Sequence, residues 1–211
     1  MTEGQFTSAT ALRFYDTLAA RYDWFSLYEA RAKRLAVDCL ELTPGQAVLN
    51  VGLGTGKYYQ EVQALLGERG LAAGIDLSMS MLEVARSRKL TDLAQSEGAW
   101  LPFATGSFDR LLCTYVLDLV PLADLSCWLV EFRRVLKPGG RMVLVSLTEG
   151  VNLLSRGFVT VWKLAYRLSP MACGGCRPLQ LAGLARQAGF VTVDHQVVVQ
   201  YGVPSELLVA G

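Results

Sequence analysis

Apolar residues recur every three or four positions along residues 9–42, with Leu12, Tyr15, Leu18, Ala19 and Tyr22 in register. That is the helical period, and it predicts helix here, with a second helix over residues 30–40. After the turn Thr43-Pro44-Gly45 the pattern changes. Val48, Leu49 and Val51 make a short continuous run, as a strand covered by helices on both faces requires. Helix returns over residues 58–66, closed by Gly67 and Gly70, and a second strand runs over residues 71–76. Ser78 or Ser80 can cap a helix reaching Lys89.

The alternation continues. A weak third strand lies near residues 93–97, an irregular loop holds Pro102 and Gly106, and a fourth strand covers residues 109–116. Residues 122–136 read as helix stopped by Lys137-Pro-Gly-Gly140, and residues 141–147 as a fifth strand. An apolar helix over residues 151–168 then breaks the rhythm. Pro178 suits the first turn of a helix that Gly189 ends, and strands over residues 191–199 and 206–210 close a hairpin through Gly202 and Pro204. Strands joined by helical crossovers imply an α/β fold with a doubly wound parallel sheet, here ending in an antiparallel hairpin.

The chain has 211 residues, which suits one α/β domain over 1–211, with 1–42 as an N-terminal helical cap and 148–177 as a helical insertion. Its formal charge of +1 provides no broad basic field, which argues against nucleic acid as partner. Mean hydropathy is positive, yet no charge-free window is long enough to span a membrane. Residues 1–10 lack the basic and apolar segments of a secretory signal, so a cytoplasmic location is expected. Five cysteines, an odd number, read as free thiols there; Cys173 and Cys176 form a C-x-x-C without the second ligand pair that zinc needs, and no metal is expected.

The candidate chemistry sits where the first strand stops. Gly52, Gly54 and Gly56 can turn the chain and bring bare backbone against a bound molecule. The dinucleotide fingerprint would need glycine where Lys57 stands, which disfavours a nicotinamide dehydrogenase. Asp76 ends the second strand, where a carboxylate can accept both hydroxyls of a ribose; alone it would more often cap the following helix. Thr114, Tyr115 and Asp118 follow the fourth strand at the ligand end of the sheet. Two Tyr-Asp dipeptides seven residues apart place Tyr15 and Tyr22 on one helix face, either as packing residues or as a wall of the site. His195, the sole histidine, reads as an ordinary strand position.

Val48-Leu-Asn-Val-Gly-Leu-Gly-Thr-Gly56, Gly74-Ile-Asp-Leu-Ser-Met-Ser-Met-Leu82, Leu101-Pro-Phe-Ala-Thr-Gly-Ser-Phe-Asp109 and Leu136-Lys-Pro-Gly-Gly140 come in one order. With these the chain resembles the class I S-adenosylmethionine-dependent methyltransferases, nearest the branch of ubiquinone and menaquinone C-methyltransferases and bacterial phosphatidylethanolamine N-methyltransferases. The resemblance implies a Rossmann-like sheet of seven strands, six parallel and the last antiparallel. It implies S-adenosylmethionine as cofactor, with Gly52, Gly54 and Gly56 at its methionine end, Asp76 at the ribose, and Leu77 and Met81 against adenine. Glu97, followed by Gly98, falls where the family has Asp near the adenine amino group, and Asn50 replaces an acidic residue before the loop.

Since a sulfonium already carries an activated methyl, placement of the nucleophile is the main demand, and only a hydroxyl nucleophile needs proton removal. Tyr15, Tyr22, Tyr115 and Asp118 are the candidates for catalysis, and Asn50 and Thr114 join the cofactor set. Trp162, Tyr166 and Arg177 are candidates for acceptor binding, Arg177 by forking onto a phosphate or carboxylate. The helix of residues 151–168 reads either as a lid over the acceptor or as a helix resting on a membrane with its basic residues at the headgroups. The expected function is methyl transfer to a small hydrophobic or lipid-like acceptor. A soluble thiol or amine acceptor, or a silent cofactor-binding regulator, is the alternative.

Overall fold

The computed structural model describes residues 7–191 and 193–211, without the Phe25 side chain. The reading of residues 1–10 as lacking a signal, and Thr192 of the predicted strand, fall largely or wholly outside the described residues. In chain order the helices are α1 (Ser8–Leu18), α2 (Tyr22–Phe25), α3 (Ala30–Cys39), α4 (Tyr59–Leu66), α5 (Met79–Ser87), α6 (Leu125–Val135), α7 (Leu153–Leu168) and α8 (Leu181–Gln187). The strands are β1 (Ala47–Val51), β2 (Leu71–Asp76), β3 (Leu93–Gln95), β4 (Phe108–Thr114), β5 (Leu136–Leu147), β6 (Val193–Gln200) and β7 (Val203–Ala210).

They form a seven-stranded sheet in the order β3-β2-β1-β4-β5-β7-β6. Pairs on the β3 to β5 side are parallel, whereas β7 runs antiparallel to both β5 and β6. Alternate residues therefore face opposite layers. Leu49, Val51, Leu111, Cys113 and Leu144 pack with α6 and α8 on one face, around Leu129, Phe132, Leu181 and Ala185. Val48, Leu112, Val143 and Val145 pack on the other with α3, α4 and α5, around Ala36, Leu40, Val62 and Leu82. Strand order reverses between β1 and β4, and a crevice opens at their C-terminal ends, the usual ligand position in such sheets.

Several expected boundaries move, each for a local reason. The long N-terminal helix breaks into α1, a tight 3-10 turn at Ala19–Arg21 and α2. α7 starts at Leu153 because Asn152 and Ser155 form a reciprocal capping box. Pro178 lies before α8, not in it. Leu179 is tied to β5 through its N–H to the Leu147 carbonyl at 2.8 Å, and the Glu206 carboxylate of β7 accepts the Leu181 and Ala182 N–H groups. The helix thus begins where a buried anion meets its free N–H groups. β5 starts at Leu136, with Lys137 to Gly140 bulging between the Phe108 and Arg110 pairings. Pro204 pairs with Val199 inside β7, so the hairpin turns at Tyr201 and Gly202.

Candidate functional site

A cleft partly open to solvent lies at the ends of β1, β2 and β4 under the N-terminal helices. The loop after β1 is its floor. Gly54 donates its N–H to Asp76 Oδ2 at 2.7 Å, and Ser78 donates to Oδ1 at 2.9 Å, which fixes the carboxylate at the cleft wall. Burial raises the Asp76 pKa against the opposing pull of those bonds. Asn50, Gly52, Gly56, Leu77, Met81, Glu97, Gly98 and Thr114 line the same cleft. Every cofactor candidate read from the sequence is therefore gathered here.

Two features fit the cofactor that the loop implies. A Cβ placed on Gly54 would meet nothing nearer than the Tyr22 ring at 3.9 Å, so this backbone is open to a ligand. Asn50 Oδ1 is buried without a hydrogen-bond partner, an acceptor that a bound ammonium or hydroxyl could pair. Such an orphan costs about 1–3 kcal/mol.

The opposite wall is aromatic. The Tyr15 and Tyr22 rings meet edge-on with centroids 6.1 Å apart, and Tyr115 joins them. Tyr115 has φ +55, a left-handed conformation that non-glycine residues rarely adopt and that clusters at functional sites. Its hydroxyl lies 2.7 Å from Ser205 Oγ. Among these rings sits Lys33, its Nζ 5.2 Å from the Tyr22 centroid and 5.5 Å from that of Tyr115. Buried Glu29 accepts from Lys33 at 2.6 Å and from the Tyr22 hydroxyl at 3.3 Å. Burial first, and then the Glu29 charge, push the Tyr22 pKa up, so its phenol stays neutral.

The Asp of each Tyr-Asp dipeptide reaches a different loop. Asp16 accepts from the hydroxyl of Ser78, which caps α5, and Asp23 accepts from Thr55 Oγ1 at 2.6 Å and from the Arg88 guanidinium. Ser8 donates to Glu97 Oε1 at 2.8 Å. Sequence reasoning missed Asp16, Asp23, Glu29, Lys33 and Arg88. The repeated dipeptide was the available signal, since two turns of helix carry the two carboxylates along with the two tyrosines.

Asp118 stands apart from the cleft. It is fully buried, with Oδ2 accepting the Leu147 N–H at 3.2 Å and Oδ1 without a partner. Burial pushes its pKa up to about 7. Arg177 donates to the Asp118 and Val120 carbonyls, binding its own chain rather than lining the cleft. Trp162 donates from Nε1 to the Cys176 carbonyl at 2.9 Å, and neither it nor half-buried Tyr166 lines the cleft. Tyr15 bridges the two regions, donating to the Gly174 carbonyl at 3.3 Å. His195 is on β6 with Nδ1 3.3 Å from Glu206, far along the sheet from β1. Among the described residues no three His, Cys, Asp or Glu side chains gather as a metal site.

Sheet order, the glycine loop and the carboxylate after β2 define the class I S-adenosylmethionine-dependent methyltransferase fold. Residues 48–140 match the family described as a methyltransferase domain. The ubiquinone/menaquinone biosynthesis C-methyltransferase UbiE of Haemophilus ducreyi is 32% identical over 151 residues, 65% of this chain and 57% of that protein. Demethylmenaquinone methyltransferase of Desulfitobacterium hafniense is 31% identical over 64% of this chain and 57% of its own length. The chain thus spans somewhat under three fifths of these relatives. In structure, an N-methyltransferase 2 of Haemonchus contortus, solved with phosphomonomethylethanolamine and S-adenosylhomocysteine, superposes with TM-score 0.70. It is 18% identical, over 95% of this chain and 60% of that one, a likeness of fold. In fold the chain is like the class I S-adenosylmethionine-dependent methyltransferases, and in sequence it resembles the UbiE C-methyltransferases over somewhat under three fifths of their length.

Proposed function

We propose that the chain transfers the methyl group of S-adenosylmethionine to a small hydrophobic acceptor whose aromatic ring bears an ionisable hydroxyl, the hydroquinone type that the names of its relatives suggest. The observation that carries this is the contrast between the two walls of one cleft. One wall is a glycine loop with Asp76 and Asn50, suited to a polar nucleoside and amino acid; the other is three tyrosines, Tyr15, Tyr22 and Tyr115, the last two with their rings beside Lys33.

The cofactor supplies a methyl group already activated by the sulfonium. This chain's part is to hold and orient. In this reading Asp76 accepts the ribose hydroxyls, Asn50 Oδ1 pairs the ammonium, Leu77 and Met81 flank the adenine, and Glu97 takes its amino group, with Gly98 and Thr114 closing the wall. Tyr15, Tyr22 and Tyr115 stack around the acceptor ring and exclude water. A proton leaving the acceptor hydroxyl passes to Tyr22 Oη as Tyr22 passes its own to Glu29 Oε2. Lys33 stays beside the oxygen that turns anionic, where a low dielectric strengthens the attraction. Trp162 and Arg177 have a supporting role here, holding the segment whose Gly174 carbonyl accepts from Tyr15.

Calorimetry with S-adenosylmethionine and S-adenosylhomocysteine tests the first half; failure to bind either ends the proposal. Transfer of labelled methyl to demethylmenaquinol or 1,4-dihydroxynaphthalene tests the second. Labelling only of water-soluble thiols or amines would keep the cofactor and discard the acceptor.

A further inference from the structure

Helix α7 has three stripes. Ser155 and Val159 are buried, and Trp162 is half-buried and bonded to the Cys176 carbonyl, so this stripe is fixed to the body of the protein. A second stripe is apolar and faces outward: Leu154, Val161, Leu164 and Leu168 are 70%, 68%, 59% and 81% exposed. Their spacing of seven, three and four residues keeps them on one side of a helix. A third stripe, beside the apolar one, carries Arg156, Lys163 and Arg167, all exposed, and the helix has no acidic residue. Lys163 pairs with Glu149 outside the helix at 2.6 Å, an exposed contact that competing anions can replace.

The apolar stripe begins near the rim of the cleft. Leu154 packs against Gly202 in the β6–β7 turn, beside Tyr201, which is 83% exposed. Gln200, next to that turn, donates to the Leu27 carbonyl, and the neighbouring Ser26 lines the cleft.

We propose that α7 docks the protein on an anionic lipid surface, lying in the interface with Leu154, Val161, Leu164 and Leu168 among the acyl chains and Arg156, Lys163 and Arg167 among the headgroups. Its 16 residues reach about 24 Å at 1.5 Å each, too short to cross a hydrocarbon core, and no helix among the described residues is long and apolar enough to do so. An in-plane helix needs this combination of an apolar face and a cationic flank. A second copy of α7 fits poorly on the stripe, because its flank would bring cations against cations with no acidic residue of the helix to pair them. Docking in this way presents the rim of the cleft to the bilayer. The proposal goes beyond the proposed reaction, since lipid docking needs neither cofactor nor methyl transfer.

The full chain is mixed with vesicles of phosphatidylcholine and phosphatidylglycerol at 70:30, or of phosphatidylcholine alone, and floated on a gradient at low and high salt. The expected result is flotation with anionic vesicles, at least tenfold weaker on neutral ones and reduced by salt. The variant Val161→Ser/Leu164→Ser/Leu168→Ser changes only exposed positions, so its melting temperature and S-adenosylhomocysteine affinity should stay at the wild-type values while vesicle affinity falls at least tenfold. Arg156→Gln/Lys163→Gln/Arg167→Gln should lose the preference for anionic lipid. Wild-type protein that stays with the unbound fraction, or a serine variant that floats equally well, overturns the proposal. So does a wild-type dimer in analytical ultracentrifugation that the serine variant converts to monomer, for then the stripe covers a second copy. Failure of methyl transfer with intact flotation would count against the proposed reaction alone.

Discussion

Gly52, Gly54 and Gly56 share a loop but not a role. A Cβ on Gly52 would lie 2.1 Å from Val116 Cγ2, and one on Gly56 2.2 Å from Leu90 Cδ1, whereas Gly54 faces the cleft. Gly52→Val should therefore lower the melting temperature sharply. Gly54→Val should fold, with backbone strain of roughly 1–2 kcal/mol at its positive φ, and lose S-adenosylhomocysteine affinity at least tenfold. Calorimetry beside a thermal melt separates the two, and equal loss of stability in both variants would count against this division. Asp118 makes a second prediction. In the unfolded chain it ionises near 3.8, but folded it holds its proton to about 7. Between those values the folded state binds more protons, so this residue's contribution to stability falls as pH rises, by about 4 kcal/mol at ~1.4 kcal/mol per pH unit. Against an Asp118→Asn variant, wild-type melting temperature should thus be relatively highest near pH 4 and decline through pH 7; parallel profiles would refute it. The glycines and Asp76 were legible because strand-to-loop chemistry is local. Asp118 was not: the left-handed Tyr115 and the turns after it swing the chain so that Asp118 meets the end of β5 instead of the cleft.

At the scale of elements, the hydrophobic period located nearly every helix and strand but could not say what the polar side of α1 and α2 does. Tyr15 and Tyr22 were legible as a pair; the reach of Asp16 and Asp23 to loops more than thirty residues away depends on tertiary packing. For Asp23, burial alone would raise the pKa, yet bonds from Thr55 and Arg88 outweigh it and the carboxyl ends below its ordinary value. Its contribution is accordingly present above the ordinary carboxylate range and disappears as pH falls through the lowered value. Asp23→Asn keeps the acceptor oxygen for Thr55 and loses the charge facing Arg88, which should weaken cofactor binding about 3- to 30-fold while leaving the sheet core intact. The check is affinity against pH: wild type should approach the variant's affinity only as pH falls through that lowered value, beneath the ordinary carboxylate range, and two curves that keep a constant ratio would contradict this role of the Asp23 charge. The same limit explains α7. Its period was plain in the sequence, but whether Trp162 and Tyr166 face the acceptor or the body of the protein depends on rotation about the helix axis, and the bond to Cys176 turns Trp162 toward the body.

For the whole molecule, parallel order from β1 to β5 was legible from alternating strand and helix, and the family resemblance added a last antiparallel strand; the insertion of β7 between β5 and β6 was not legible, because a hairpin's local pattern does not say which of its strands meets the sheet. This architecture builds the cleft from two unequal parts. The sheet side is deep core, whereas α1 has no buried residue and is joined to the rest largely through Ser8 to Glu97, Asp16 to Ser78 and the Tyr15 contacts. Few buried apolar groups mean a low free energy of local opening. A ligand lying between α1 and the β1 and β2 loops touches both parts, so it should close them together. At a concentration 100 times its dissociation constant, S-adenosylhomocysteine should add about 2.7 kcal/mol to stability by mass action. Hydrogen exchange locates where that stabilisation acts. Without ligand, amides of α1 should exchange orders of magnitude faster than those of β1 and β4; with ligand at that concentration, α1 and β4 alike should slow about 100-fold, because opening either one releases the ligand. If α1 already exchanges as slowly as β4 in the free protein, the cleft is pre-closed, and entry of the cofactor must instead depend on movement of the loops after β3 and β4.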